Sequence, residues 1–114
     1  DRWRMADLQK LLDDEGIILP MKDFGQGYKD MGPAVEALET RLLEGKLRHG
    51  GHPVLRWNIA NAKAETDPTG FRKITKPKSL GRVDGAVALT MAVGLWSKEP
   101  PPVELDFSDM VLLV

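Results

Sequence analysis

Apolar positions along the chain change period several times, and each change marks an element. Residues 2–15 repeat apolar side chains at helical spacing, with Met5, Leu8, Leu11 and Leu12 on one stripe. Asp1 is placed to cap that helix, and Gly16 fits the left-handed stop just past its end. Ile17-Ile18-Leu19 is a continuous apolar run and reads as a short buried strand ended by Pro20. A second helix is expected from Pro33 to about Glu44. Val35, Leu38, Leu42 and Leu43 face inward in it, proline suits the first turn, and Gly45 closes the last. Lys46 to His49 reads as extended, before a Gly50-Gly51 turn. Pro53 opens a third, shorter helix through Val54, Leu55, Trp57 and Ile59. Residues 62–66 and 71–75 read as strands of a hairpin closed by Asp67-Pro68-Thr69-Gly70. Residues 76–82 read as a flexible basic linker, and residues 83–97 as a last, small-residue helix.

The class is therefore α/β. One short strand and a hairpin cannot cover the apolar faces of four helices, so the pattern predicts a partial domain: helices on a mixed sheet plus a β-hairpin, with the first strands missing. Trp3, Trp57 and Trp96 recur on apolar helical faces, which predicts core packing for all three. Residues 1–97 form the domain portion. Residues 98–114 form an acidic tail, stiffened by Pro100-Pro101-Pro102 and ending in Val111-Leu112-Leu113-Val114.

Charge sharpens this picture. The chain of 114 residues carries a net charge of −1, but residues 41–82 hold ten Lys or Arg against three Asp or Glu. Residues 1–40 hold five against nine, and residues 83–114 one against five. A basic middle between acidic ends suits a polyanionic partner, with Lys73, Lys76, Lys78 and Arg82 placed to grip phosphates; a solvated basic linker would look the same. With no cysteine, disulfides, thiolate chemistry and cysteine zinc sites are excluded. No apolar run approaches the length of a membrane span. His49 and His52 flank a double glycine with no third ligand in view, which favours surface or capping roles over zinc. The two glycines of Phe24-Gly25-Gln26-Gly27-Tyr28 are too close together for a dinucleotide fingerprint.

Asp84 stands where the basic segment meets the last helix. A carboxylate there stabilises the helix start. Its register with Val87, Ala88, Met91 and Leu95 predicts a position at the rim of the packed face, where an acid needs a partner. A divalent metal is one such partner.

Several stretches, in order and spacing, resemble the RNase H-like nuclease domain of the tailed-phage terminase large subunit. They are Asp1-Arg2-Trp3-Arg4, Phe24 to Met31, Leu42 to Gly51, Pro53-Val54-Leu55-Arg56-Trp57, Asn61 to Asp67 and Arg82 to Leu89. The resemblance implies a motor that packages viral DNA into an empty capsid, with an ATPase domain followed by an endonuclease. It implies hydrolysis of phosphodiesters in double-stranded DNA at two divalent ions, Mg²⁺ or Mn²⁺, held by three acids. Asp84 matches the last of these acids and Asp1 the middle one; the first acid and the ATPase fall outside the chain. It further implies partners in the portal or procapsid and the terminase small subunit, a docking role for the Val111, Leu112, Leu113 and Val114 cluster, and the cytoplasm of a bacterial host as location. The alternative is a non-catalytic DNA- or capsid-binding module from a degenerate prophage remnant.

Overall fold

The computed structural model describes residues 4–99. Asp1, Trp3 and the terminal Val111–Val114 cluster lie outside the described residues. The elements run α1 (Met5–Asp14), α2 (Tyr28–Leu43), α3 (Pro53–Asn61), β1 (Ala64–Thr66), β2 (Arg72–Ile74) and α4 (Asp84–Lys98).

The core is the seam between α2 and α4. Met31, Ala34 and Leu38 of α2 are buried, as are Ala86, Val87, Thr90, Val93 and Gly94 of α4, with Val83 just ahead of α4. Small residues let the two backbones approach closely, and a Cβ built on Gly94 would lie 2.5 Å from the Ala34 Cβ. Thr90 is fully buried, and its hydroxyl donates to the Ala86 carbonyl at 2.7 Å, which removes the cost of an unpaired polar group. β1 and β2 pair antiparallel in the register Ala64 to Ile74, Glu65 to Lys73 and Thr66 to Arg72. Asp67 Oδ1 shapes their turn by accepting from the Thr69 and Phe71 amides and from the Thr69 hydroxyl. The hairpin leans on α2, where Arg72 meets Glu39 at 2.6 Å.

The α/β class and four helices match the expectation from the sequence, and the turns at Gly16 (φ +70) and Asp67–Gly70 form where they were placed. Other details differ. Ile17-Ile18-Leu19 forms no strand: among the described residues the sheet is the hairpin alone, and Ile18 is 91% exposed with no strand to pair with. α1 begins at Met5 with Arg4, not Asp1, as its N-cap, and it buries none of its residues. α2 starts at Tyr28, five residues before Pro33, which lies inside the helix. Pro33 has no N–H to offer the Lys29 carbonyl, and burial of Met31 in the α2 seam offsets that lost bond. Leu42 and Leu43 were expected inward and are exposed, because the α2 seam follows Met31, Ala34 and Leu38 instead. Trp57 and Trp96 are each half exposed rather than in the core, and Trp96 carries the Arg41 guanidinium 3.8 Å from its ring centre.

Candidate active site around Asp84

Segment 76–82 is tied down rather than free. The Ser79 hydroxyl accepts from the Lys63 amide at 3.2 Å and donates to the Thr75 carbonyl. The Leu80 amide donates to the Asn61 carbonyl at 3.0 Å, and the Asn61 side-chain amide donates to the Arg82 carbonyl at 3.1 Å. The chain is thus led from the hairpin along α3 into α4. A run rich in Lys, Pro and Gly looks mobile in the sequence; besides the local Thr75 bond, the bonds that order it come from Asn61 and Lys63, well upstream.

Asp84 is the first residue of α4, with Val83 as an N-cap that contributes no side-chain bond. The expected burial at the rim of the packed face is not found: the Asp84 side chain is 68% exposed. The buried stripe of α4 is centred on Thr90 and its neighbours, and Asp84 lies about 120° round the helix from it. The partner that the sequence reading required is a lysine, with Lys76 Nζ 3.2 Å from Asp84 Oδ1.

The four cations singled out in the sequence are differently engaged. Lys76 faces Asp84, and Lys78 faces Glu65 at 3.1 Å. The Lys73 ammonium lies 4.5 Å from the centre of the Tyr28 ring. Lys73, Lys76 and Glu65 share the wall of a cavity of about 360 Å³ with Gln26, Thr75 and Val87. Arg82 is separate from it and lines a second cavity of about 390 Å³ with Asp84, Trp57, Val54 and His52. Lys78 hydrogen-bonds Glu65 and holds its carboxyl below the usual range. Partial burial and the Glu65 carboxylate push the Tyr28 phenol up.

Two residues of this site carry no sequence signal of chemistry. Asn58 is 3% exposed, and its Oδ1 accepts from the Gly85 amide at 2.8 Å while its Nδ2 donates to the Val54 carbonyl at 2.9 Å. Asn61 holds Arg82 by the opposite polarity, its Nδ2 donating to the Arg82 carbonyl at 3.1 Å. A buried amide must find partners, and for Asn58 one of them is the first turn of α4. His52 accepts from the Val54 amide at 3.2 Å and caps α3, and His49 accepts from the Gly51 amide at 3.0 Å, in keeping with capping roles.

Asp84 suits one position in the shell of a hard cation: an exposed carboxylate on a rigid helix start. Among the described residues no group of three His, Cys, Asp or Glu converges to hold an ion. These residues therefore do not make a complete two-ion site, and Asp1 lies outside them. No helix among the described residues is long and apolar enough to cross a membrane.

The family model for the terminase large subunit endonuclease domain matches residues 1–99. The chain belongs to this family. It is 48% identical over 111 residues to the terminase large subunit of Enterobacteria phage HK97, covering 97% of this chain and 22% of that protein. It is 38% identical over 80 residues to protein YmfN of Escherichia coli (strain K12), covering 65% of this chain and 17% of that one. The crystal structure of the HK97 bacteriophage large terminase superposes with a TM-score of 0.76 at 52% identity, over 83% of this chain and 20% of that one. The chain thus spans about a fifth of the length of these relatives, and its fold is that of the corresponding part of the HK97 large terminase.

Proposed function

We propose that this chain serves as part of the endonuclease of a phage DNA-packaging terminase, cutting double-stranded DNA, with Asp84 as a carboxylate of the catalytic centre. The observation that carries the reading is Asp84 itself: an exposed acid on the first turn of the core helix α4, paired with Lys76, in a chain of the terminase nuclease family. Asp84, with Asp1 and an acid from elsewhere in a full-length protein, would hold Mg²⁺ or Mn²⁺, whose chemistry is to acidify water and stabilise a leaving oxygen. Lys76 would neutralise Asp84 until a cation or DNA arrives. Lys73, Lys76, Lys78 and Arg82 would meet backbone phosphates, which gives affinity without sequence preference. The portal or procapsid and the small subunit are the proposed protein partners, with Val111, Leu112, Leu113 and Val114 as the anchor on the portal, in the cytoplasm of a bacterial host.

A second reading, a non-catalytic DNA- or capsid-binding module from a degenerate prophage remnant, is favoured by the Asp84–Lys76 pair, in which an ammonium takes the place a cation would hold. Mn²⁺ titration followed by electron paramagnetic resonance separates the two. In a full-length terminase large subunit carrying this chain, binding that Asp84→Asn weakens supports the nuclease. Binding that is absent, or indifferent to Asp84, supports the module.

A further inference from the structure

α4 opens without a cap of its own, since Val83 offers no side-chain acceptor to its free amides. The acceptor comes from another helix. Asn58 of α3 takes the Gly85 N–H at 2.8 Å, and its own amide N–H₂ group donates to the Val54 carbonyl at 2.9 Å. Turning the amide over would set donor against donor and acceptor against acceptor, so both ends hold it in one orientation. Gly85 follows Asp84 directly. Its backbone is also hemmed in, because a Cβ built there would lie 3.3 Å from Asn58 Oδ1. Two residues ahead of Asp84, the Arg82 carbonyl is held by Asn61, one turn further along α3. One helix thus grips the backbone on both sides of Asp84.

The Asp84 side chain has no comparable anchorage. It is 68% exposed, and Lys76, with which it pairs, is itself 60% exposed. Exposed ion pairs fix geometry weakly. The carboxylate therefore stands where its backbone puts it, and that is settled from α3. We infer that Asn58 is a positioning residue for Asp84, converting the packing of α3 on α4 into a fixed carboxylate position. The inference rests on the nuclease reading of Asp84.

The test uses a full-length terminase large subunit carrying this chain, with Asp84→Asn as reference. Asn58→Ala should lower kcat for DNA cleavage roughly ten- to a hundredfold, the cost of misplacing a reacting group. KM for DNA should stay within about twofold, which separates lost positioning from lost binding. Hydrogen exchange at the Gly85 amide should quicken in step with the loss of kcat. Asn58→Asp keeps the acceptor for Gly85 but loses the donor to the Val54 carbonyl, so Gly85 protection and kcat should both recover only in part, and by matching amounts. If Asn58→Ala does not fold, Asn58→Ser and Asn58→Asp carry the comparison, and kcat should follow Gly85 protection across them. Parental kcat with a freely exchanging Gly85 amide would overturn the inference, as would restored protection without restored kcat. Asp84→Asn cleaving at the parental rate would sink the nuclease reading and this inference with it. Inactive Asp84→Asn beside fully active Asn58→Ala sinks the positioning role alone.

Discussion

Lys76 Nζ stands 3.2 Å from Asp84 Oδ1, across the corner where the basic segment turns into α4. Both groups are more than half exposed, so the pair contributes at most about 1 kcal/mol to stability. Its importance lies in charge: an ammonium at that distance competes with a cation for the same oxygen. Lys76→Met should leave the thermal midpoint within a few degrees of the parent and tighten Mn²⁺ binding several-fold in a full-length protein. Calorimetry and a Mn²⁺ titration check the two parts. Unchanged Mn²⁺ affinity would mean that the lysine does not guard the carboxylate.

The other cations differ in how free they are to meet DNA. Lys78 is committed to Glu65 and Lys76 to Asp84, while Lys73 rests on a ring. Changing Lys73, Lys76, Lys78 and Arg82 together to Ala should weaken binding to every DNA sequence alike. The slope of log affinity against log salt should fall by roughly 1–2 rather than by the nearly 4 expected of four unpaired phosphate contacts. A slope equal to the parent's would show that this segment is not the DNA contact.

Glu65 supplies a pH signature. Its carboxyl lies below the usual range because Lys78 hydrogen-bonds and attracts the charged form. A depressed folded-state pKa contributes stability that is present above the unfolded value and is lost as pH falls through the folded value. Stability should therefore decline with acidification through the carboxylate range, and Lys78→Ala should flatten that part of the curve. An NMR titration of Glu65 in the variant should show its pKa moving up. No movement would assign the depression to something other than Lys78.

The seam of α2 and α4 has its own test. A Cβ on Gly94 would come within 2.5 Å of the Ala34 Cβ and 3.0 Å of the Phe24 ring. Backbone, not a flexible side-chain end, must move to admit it. Gly94→Ala should cost about 1–3 kcal/mol despite the better helix propensity of alanine. Denaturant unfolding measures it, and an unchanged or raised midpoint would contradict the packing described.

Helices and hairpin were legible because their signals are local: periodicity, Gly16 after a stripe, Asp67-Pro68-Thr69-Gly70 between two short runs. The family was legible from short motifs held in order. What failed depended on partners far along the chain. Ile17-Ile18-Leu19 has strand composition, but no described strand pairs with it. Asp84 shares a face with Val87 and Met91 on a helical wheel, yet the centre of the buried stripe was set by where α2 packs. Asn58 and Asn61 looked like ordinary polar positions on α3, and their role appears only when α4 is laid beside them.

The measurement that bears most directly on the account is DNA cleavage by a full-length terminase large subunit carrying Asp84→Asn. Asparagine keeps the shape and can still serve a helix start, but it removes the charge that would hold a cation. Cleavage should be abolished while ATP hydrolysis and the thermal midpoint stay near those of the parent. Cleavage at the parental rate would contradict the catalytic role of Asp84.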